Sequence, residues 1–106
     1  MVDEKSILDL RDRIAEEFRP QRIILFGSYA HGTARADSDL DILVILGNGN
    51  SGPKKAAEIL HRLNPRIPVD LVVRTAEEIE NRLQDNDFFL AEVLNHGRVL
   101  YEAPNP

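Results

Sequence analysis

Four stretches of the chain have the apolar spacing of amphipathic helices. The first runs from about Asp3 to Phe18, where apolar residues recur at intervals of three and four and so share one side of a helix. Three more helices are predicted at about 53–63, 76–83 and 87–94. Their spacing indicates helices that cover a sheet rather than isolated ones.

Apolar runs of strand length lie between these helices. The second run is nearly continuous in apolar residues after two acids at its start, which is typical of a strand covered on both faces. A helix separates the second and third runs and permits them to lie side by side in parallel. The pattern predicts an α/β fold, with helices packed on a mixed sheet of about four strands: Arg22–Phe26, Asp39–Leu46, Val69–Val73 and Arg98–Tyr101.

The last predicted helix has more apolar residues than one buried face needs. They spread over more than one side of a helical wheel: Phe88, Phe89, Leu90, Val93 and Leu94. Two interpretations follow. Either the helix is wedged into the core, or a partner or second copy of the chain covers part of it.

The polar segment between the first two strands contains the candidate chemistry. Asp39 and Asp41 are two residues apart, so on a strand both carboxylates leave the sheet on the same face. Two such charges about 4 Å apart repel by roughly 1 kcal/mol in water and about 4 kcal/mol at an effective dielectric near 20. This repulsion favours protonation of one acid or binding of a cation, and oxygen ligands favour Mg²⁺ or Mn²⁺.

A third acid, Asp70, is the only charge in the apolar run 69–73, where a charge is rarely left without a partner. If this strand lies beside the one that follows Asp39, three carboxylates converge. Gly27 and Ser28 leave the first strand and open a short helix, so that backbone N–H groups and a hydroxyl are available to phosphate oxygens. The sequence therefore predicts a phosphate site facing a metal site.

Composition narrows the class of protein. The 106 residues contain 42% hydrophobic residues and no cysteine, which predicts a single domain over 1–106 in a reducing, cytoplasmic setting. No apolar stretch approaches the ~20 residues that cross a bilayer, so no membrane association is expected. The net charge of −5 disfavours a nucleic acid as direct substrate, because such binding depends on Lys and Arg.

These motifs resemble the nucleotidyltransferases related to DNA polymerase beta. That family has Gly-Ser, ten residues, Asp-x-Asp and a later Asp, which Gly27-Ser28, Asp39-Leu40-Asp41 and Asp70 match. The surrounding residues 32–38 are similar to the minimal nucleotidyltransferase (MNT) subgroup in particular. One departure is His31, since MNT sequences usually have Arg there.

The resemblance implies a mechanism and a set of site residues. Asp39, Asp41 and Asp70 would hold two Mg²⁺ ions, with Mn²⁺ as a substitute, and act in catalysis on ATP as the nucleotide substrate. Gly27 and Ser28 would bind phosphate, and Arg35 could neutralise phosphate charge. The expected reaction transfers a nucleoside monophosphate, AMP in the first instance, to a hydroxyl group.

The resemblance also implies an acceptor. The chain lacks the additional helical domain with which antibiotic-modifying relatives hold a substrate, so we expect another molecule to present the hydroxyl. MNT proteins are commonly paired with a helical HEPN toxin, and as antitoxins they attach AMP to a toxin tyrosine. The alternative is a binding module that neutralises its partner by occlusion, with acids that only bind nucleotide or metal.

Overall fold

The computed structural model describes residues 1–104. Asp3 caps the first helix by accepting a hydrogen bond from the Ser6 N–H, and Thr75 and Glu78 form a reciprocal capping box on the fourth. In chain order the elements are α1 (Glu4–Phe18), β1 (Arg22–Phe26), α2 (Gly27–His31), β2 (Leu40–Leu46), α3 (Gly52–Leu63), β3 (Val69–Thr75), α4 (Ala76–Gln84), α5 (Phe88–His96) and β4 (Arg98–Glu102).

The four strands form one mixed sheet in the order β3-β2-β1-β4. β1 is antiparallel to both β2 and β4, while β3 is parallel to β2. The parallel pair is connected by α3, as a parallel connection requires a long crossover. The predicted α/β class and four-stranded mixed sheet are confirmed.

One face of the sheet is covered by α1 and α3, and we call it the α1/α3 face. Alternate residues of β2 point into it, including Ile42 and Val44, which are almost fully buried. Ile14 of α1 and Ile59 of α3 close the same cluster from above. Burial of each such side chain contributes about 1.5–3 kcal/mol, so this face is a main source of stability.

The other face is covered by α4 and α5, and we call it the α4/α5 face. Leu43 and Ile45, the intervening residues of β2, pack there against Leu90 and Val93 of α5. β2 is therefore buried on both sides, as its continuous apolar run predicts.

The structure differs from the predicted elements mainly at their ends. β3 continues two residues beyond Val73 to Thr75, and α5 continues two residues beyond Leu94 to His96. The core interpretation of α5 is wrong for two of its residues, since Phe88 is 86% and Phe89 50% exposed.

The last two residues of the chain lie outside the described residues, and within those described no helix is long and apolar enough to span a membrane.

Candidate active site

Asp41 and Asp70 are direct neighbours in the sheet. They are register partners on the parallel strands β2 and β3, which lie about 4.8 Å apart in any such pair. Because residues Ile42 and Val44 point to the α1/α3 face, Asp41 points to the α4/α5 face, and Asp70 points the same way. The predicted pairing of these two acids on one face agrees with this register.

The environment of Asp41 disfavours its charged form. Burial is the largest cause that raises the pKa of Asp41, followed by the negative charges of Asp70 and Asp39 and by a hydrogen bond with Asp70. A cation placed between these groups would remove the repulsion. This electrostatic strain is what a divalent metal site is expected to show in its donor groups.

Gly27 lies directly against the Asp41 carboxylate. A Cβ atom built on Gly27 would overlap Oδ2 of Asp41 and lie 3.0 Å from its Cγ, and the φ angle of +71° is one that side chains disfavour. Both the close approach and the backbone conformation require glycine. The glycine bend that follows β1 and the Asp41 carboxylate therefore form one contiguous structure.

Ser28 lies in the first turn of α2, which opens at this bend. The first N–H groups of a helix have no partner within the helix, and Phe26 at the N-cap offers no side-chain cap. The far end of α2 is fixed, since Thr33 N–H donates to the Ser28 carbonyl at 2.9 Å. The free N–H groups and the Ser28 hydroxyl are thus available near Asp41, as a phosphate site requires.

Asp39 and Arg35 lie in the loop that leads from α2 to β2, and both are exposed. A turn orders this loop, because Ser38 Oγ accepts from Arg35 N–H at 2.8 Å and Ser38 N–H donates to the Arg35 carbonyl at 3.0 Å. Asp39 precedes β2 by one residue and its charge acts on Asp41. The Arg35 contact to phosphate stays a prediction.

The donor set fits a hard divalent cation. Asp39, Asp41 and Asp70 supply only carboxylate oxygens, the ligands that Mg²⁺ prefers. Within residues 1–104, no group of three or more His, Asp or Glu side chains is close enough to hold a metal ion as the side chains stand. The structure thus provides an adjacent pair, Asp41 and Asp70, and the third carboxylate must approach it to complete a cage.

Phe26 and Phe89 also lie at this site, although the sequence pattern does not predict it. Phe26 is the register partner of Asp41 on β1, so its side chain shares the same face, and the Phe89 ring of α5 packs edge-on against it with centroids 5.5 Å apart. The apolar excess of α5 was the available signal. It could not show that this helix lies beside the acids.

The fold and the site together define a nucleotidyltransferase domain. Residues 7–100 match the family model described as nucleotidyltransferase domain, and the chain belongs to that family. The sequence-predicted resemblance is confirmed at this level.

Two individual proteins are similar to this chain over most of its length. The chain is 30% identical over 105 residues to a putative protein adenylyltransferase, MJ0604, of Methanocaldococcus jannaschii, with 95% of this chain and all of that protein covered. A putative nucleotidyltransferase from Sulfolobus solfataricus shares the fold, with a TM-score of 0.63, 22% identity, and coverage of 92% of this chain and 78% of that one.

Two solved toxin–antitoxin complexes are also similar. One contains AMP-PNP and matches with a TM-score of 0.55 and 28% identity, over 96% of this chain and 75% of that one. The other is a variant of MntA–HpeT, with a TM-score of 0.56 and 26% identity, over 97% of this chain and 75% of that one. The predicted likeness to toxin–antitoxin nucleotidyltransferases is confirmed.

Proposed function

We propose that this nucleotidyltransferase is a Mg²⁺-dependent protein adenylyltransferase that moves AMP from ATP onto a hydroxyl of a toxin partner and thereby acts as an antitoxin. The acceptor we propose is a tyrosine of a helical HEPN toxin. The observation that carries the proposal is the contiguity of the Gly27 bend with Asp41 and Asp70 on one face. The adenylyltransferase name of one relative and the AMP-PNP in one neighbour support ATP as donor.

The reaction needs a phosphate site, a proton acceptor and ligands for divalent ions from this chain. The Gly27-Ser28 bend would hold the triphosphate so that the α-phosphorus faces the acids. Asp70, which lies on an edge strand and is exposed, would accept the proton of the attacking hydroxyl. The acceptor oxygen then forms a bond to the α-phosphorus while the bond to the bridging oxygen of pyrophosphate breaks.

Asp39, Asp41 and Asp70 are the residues that would hold the divalent ions. When bound, these ions would neutralise the negative charge that develops on the phosphates. Burial and the negative charges of Asp70 and Asp39 raise the pKa of Asp41, and a bound cation would offset both effects.

Intact-mass analysis of a co-expressed toxin partner tests the proposal. Wild-type protein should add the mass of one or more AMP groups to the partner, and the Asp39→Ala/Asp41→Ala double variant should add none. The Asp37→Asn variant is a matched control, since Asp37 is an exposed aspartate of the same loop. If the double variant still folds and neutralises the toxin without mass gain, the occlusion alternative is correct.

A further inference from the structure

Phe26 and Phe89 lie beside Asp41, and a third of the four phenylalanines of the chain, Phe88, precedes Phe89 on α5. Phe89 packs on Phe26 with the ring planes at 83°, and Phe88 lies in the first turn of α5. We call Phe26, Phe88 and Phe89 the aromatic patch. It joins the candidate active site to the outer surface of α5.

Two residues of the aromatic patch are exposed to solvent, which is unfavourable for apolar side chains. Phe88 is 86% and Phe89 50% exposed, although burial of a phenylalanine side chain away from water is favourable. Single exposed apolar residues are ordinary, but adjacent aromatic rings next to a reaction site are typical of a binding surface. The fold alone gives no reason for Phe88, because truncating it would remove almost no burial.

The segment that contains Phe88 and Phe89 is rich in negative charge. Between Ala76 and His96 the chain has six acidic residues and one arginine, so this stretch accounts for the whole net charge of −5, and the rest of the chain is balanced at twelve of each sign. The arginine, Arg82, is paired with Asp87 at 3.5 Å. The outer surface of α4 and α5 is therefore acidic.

We infer that the aromatic patch is the docking surface for the protein acceptor, and that the docking segment is apolar at its centre and basic at its rim. The inference deepens the proposed function, since a segment seated on Phe88 and Phe89 would bring a neighbouring hydroxyl to Asp41 and Asp70. An acidic rim repels a second copy of this chain and attracts a basic partner. The open exposure of Phe88 suits a protein surface better than a nucleobase, which is held in a concave site.

A defined polymer tests this chemistry without knowledge of the natural acceptor. We would measure the affinity of fluorescein-labelled lysine–tyrosine copolymer for the full chain by anisotropy, with glutamate–tyrosine copolymer as comparator. The variants are Phe88→Ala, Glu92→Lys on α5, and Glu16→Lys on α1, an exposed position that changes the net charge equally. A fluorescent ATP analogue with Mg²⁺ and sedimentation velocity are measured on every variant.

The lysine–tyrosine polymer should bind in preference to the glutamate–tyrosine polymer. Phe88→Ala should weaken binding about tenfold, and Glu92→Lys about threefold more than Glu16→Lys. ATP-analogue affinity and sedimentation should not change.

Four results would overturn the inference. Two concern the copolymer: Phe88→Ala binds it as tightly as wild type does, or Glu92→Lys and Glu16→Lys lose the same amount of affinity for it. The other two concern Phe88→Ala alone: it loses affinity for the ATP analogue, or it dissociates a dimer that the wild-type protein forms. Docking through Phe88 without AMP transfer to any acceptor would contradict the proposed function alone.

Discussion

The two faces of the sheet are built from the same strands but differ in what they leave exposed. On the α1/α3 face, side chains from both helices and every strand form the larger apolar cluster among the described residues. On the α4/α5 face, the apolar cluster is smaller and gives way to Asp41, Asp70 and the aromatic patch. β2 contributes to both, with alternate residues assigned to each.

This difference separates stability from chemistry. A face covered by helices throughout stabilises the sheet and holds the strands in register, while a face covered only in part leaves charged groups accessible at one end. Strain at Asp41 and exposure at Phe88 are tolerated because the opposite face supplies the stabilising burial. Substitutions on the two faces should therefore have different kinds of effect.

The largest expected effect is on activity at the α4/α5 face. Asp41→Asn keeps the shape of the side chain but removes its charge, and should lower the rate of AMP transfer about a thousandfold. The Asp37→Asn control should stay within about twofold of wild type, because surface substitutions of this kind have small effects. Steady-state transfer from α-labelled ATP measures both, and equal rates for Asp41→Asn and wild type would contradict the site.

On the α1/α3 face, Ile14→Ala should act on stability alone. Ile14 is 1% exposed, so its truncation leaves a cavity and should cost about 2–5 kcal/mol of unfolding free energy. Ile14→Val should cost about 0.5–1.5 kcal/mol. Urea unfolding measures both. A transfer rate per folded molecule that falls with stability would show that the two faces are not separable.

Gly27 and Gly32 offer a matched pair. Both have φ angles above +70°, but a Cβ on Gly32 meets nothing within 4 Å, whereas one on Gly27 overlaps Asp41. Gly32→Ala should cost only the left-handed strain of about 1–2 kcal/mol. Gly27→Ala should cost more and also lower transfer about a hundredfold, which parallel unfolding and rate measurements would reveal. Equal effects would mean that the close approach to Asp41 has no role.

The smallest expected effect is on the pH dependence of the free energy of unfolding. Because the pKa of Asp41 is raised above its ordinary value of 3.8, the native state keeps a proton that the unfolded chain has released at pH values between the two. Stability from this group is present below that value and is lost as pH rises through the raised pKa. In metal-free buffer Asp41→Asn should therefore be more stable than wild type at pH 7, by less than about 1 kcal/mol given the partial exposure, and equal to it near pH 3.5.

Thermal unfolding at the two pH values checks this expectation. Added Mg²⁺ should stabilise wild type more than Asp41→Asn, since a ligand that binds only the native state adds to its stability. A variant less stable than wild type at pH 7 without metal would show that the Asp41 charge is compensated in some other way.

Most of the fold could be predicted because its signals are local. The apolar run 40–46, the capping box at Thr75 and Glu78, and Asp87 before α5 each determine an element from a few residues. The sequence did not reveal the ends of β3 and did not decide whether Phe88 and Phe89 are buried in the core or exposed on α5. These depend on which helix crosses which strand, a tertiary property that helical periodicity does not encode.

The candidate site, like the fold, could be predicted from the sequence only in part. The crossover through α3 predicts that Asp70 lies close to Asp41, and the strand register agrees with this. The shared face that the two-residue spacing of Asp39 and Asp41 predicts stays a prediction, because Asp39 lies one residue before β2. The contact between Gly27 and Asp41 and the position of Phe26 follow from antiparallel register, which the sequence does not specify. The metal ligands and the phosphate contact of Arg35 stay predictions.

The most direct test of the central claim is a crystal structure with Mn²⁺ and a non-hydrolysable ATP analogue. The account predicts anomalous density within about 2.0–2.4 Å of carboxylate oxygens of both Asp41 and Asp70, with phosphate oxygens at the N–H groups of the Gly27-Ser28 bend. Manganese bound away from these two carboxylates, or a triphosphate that does not touch the bend, would contradict it.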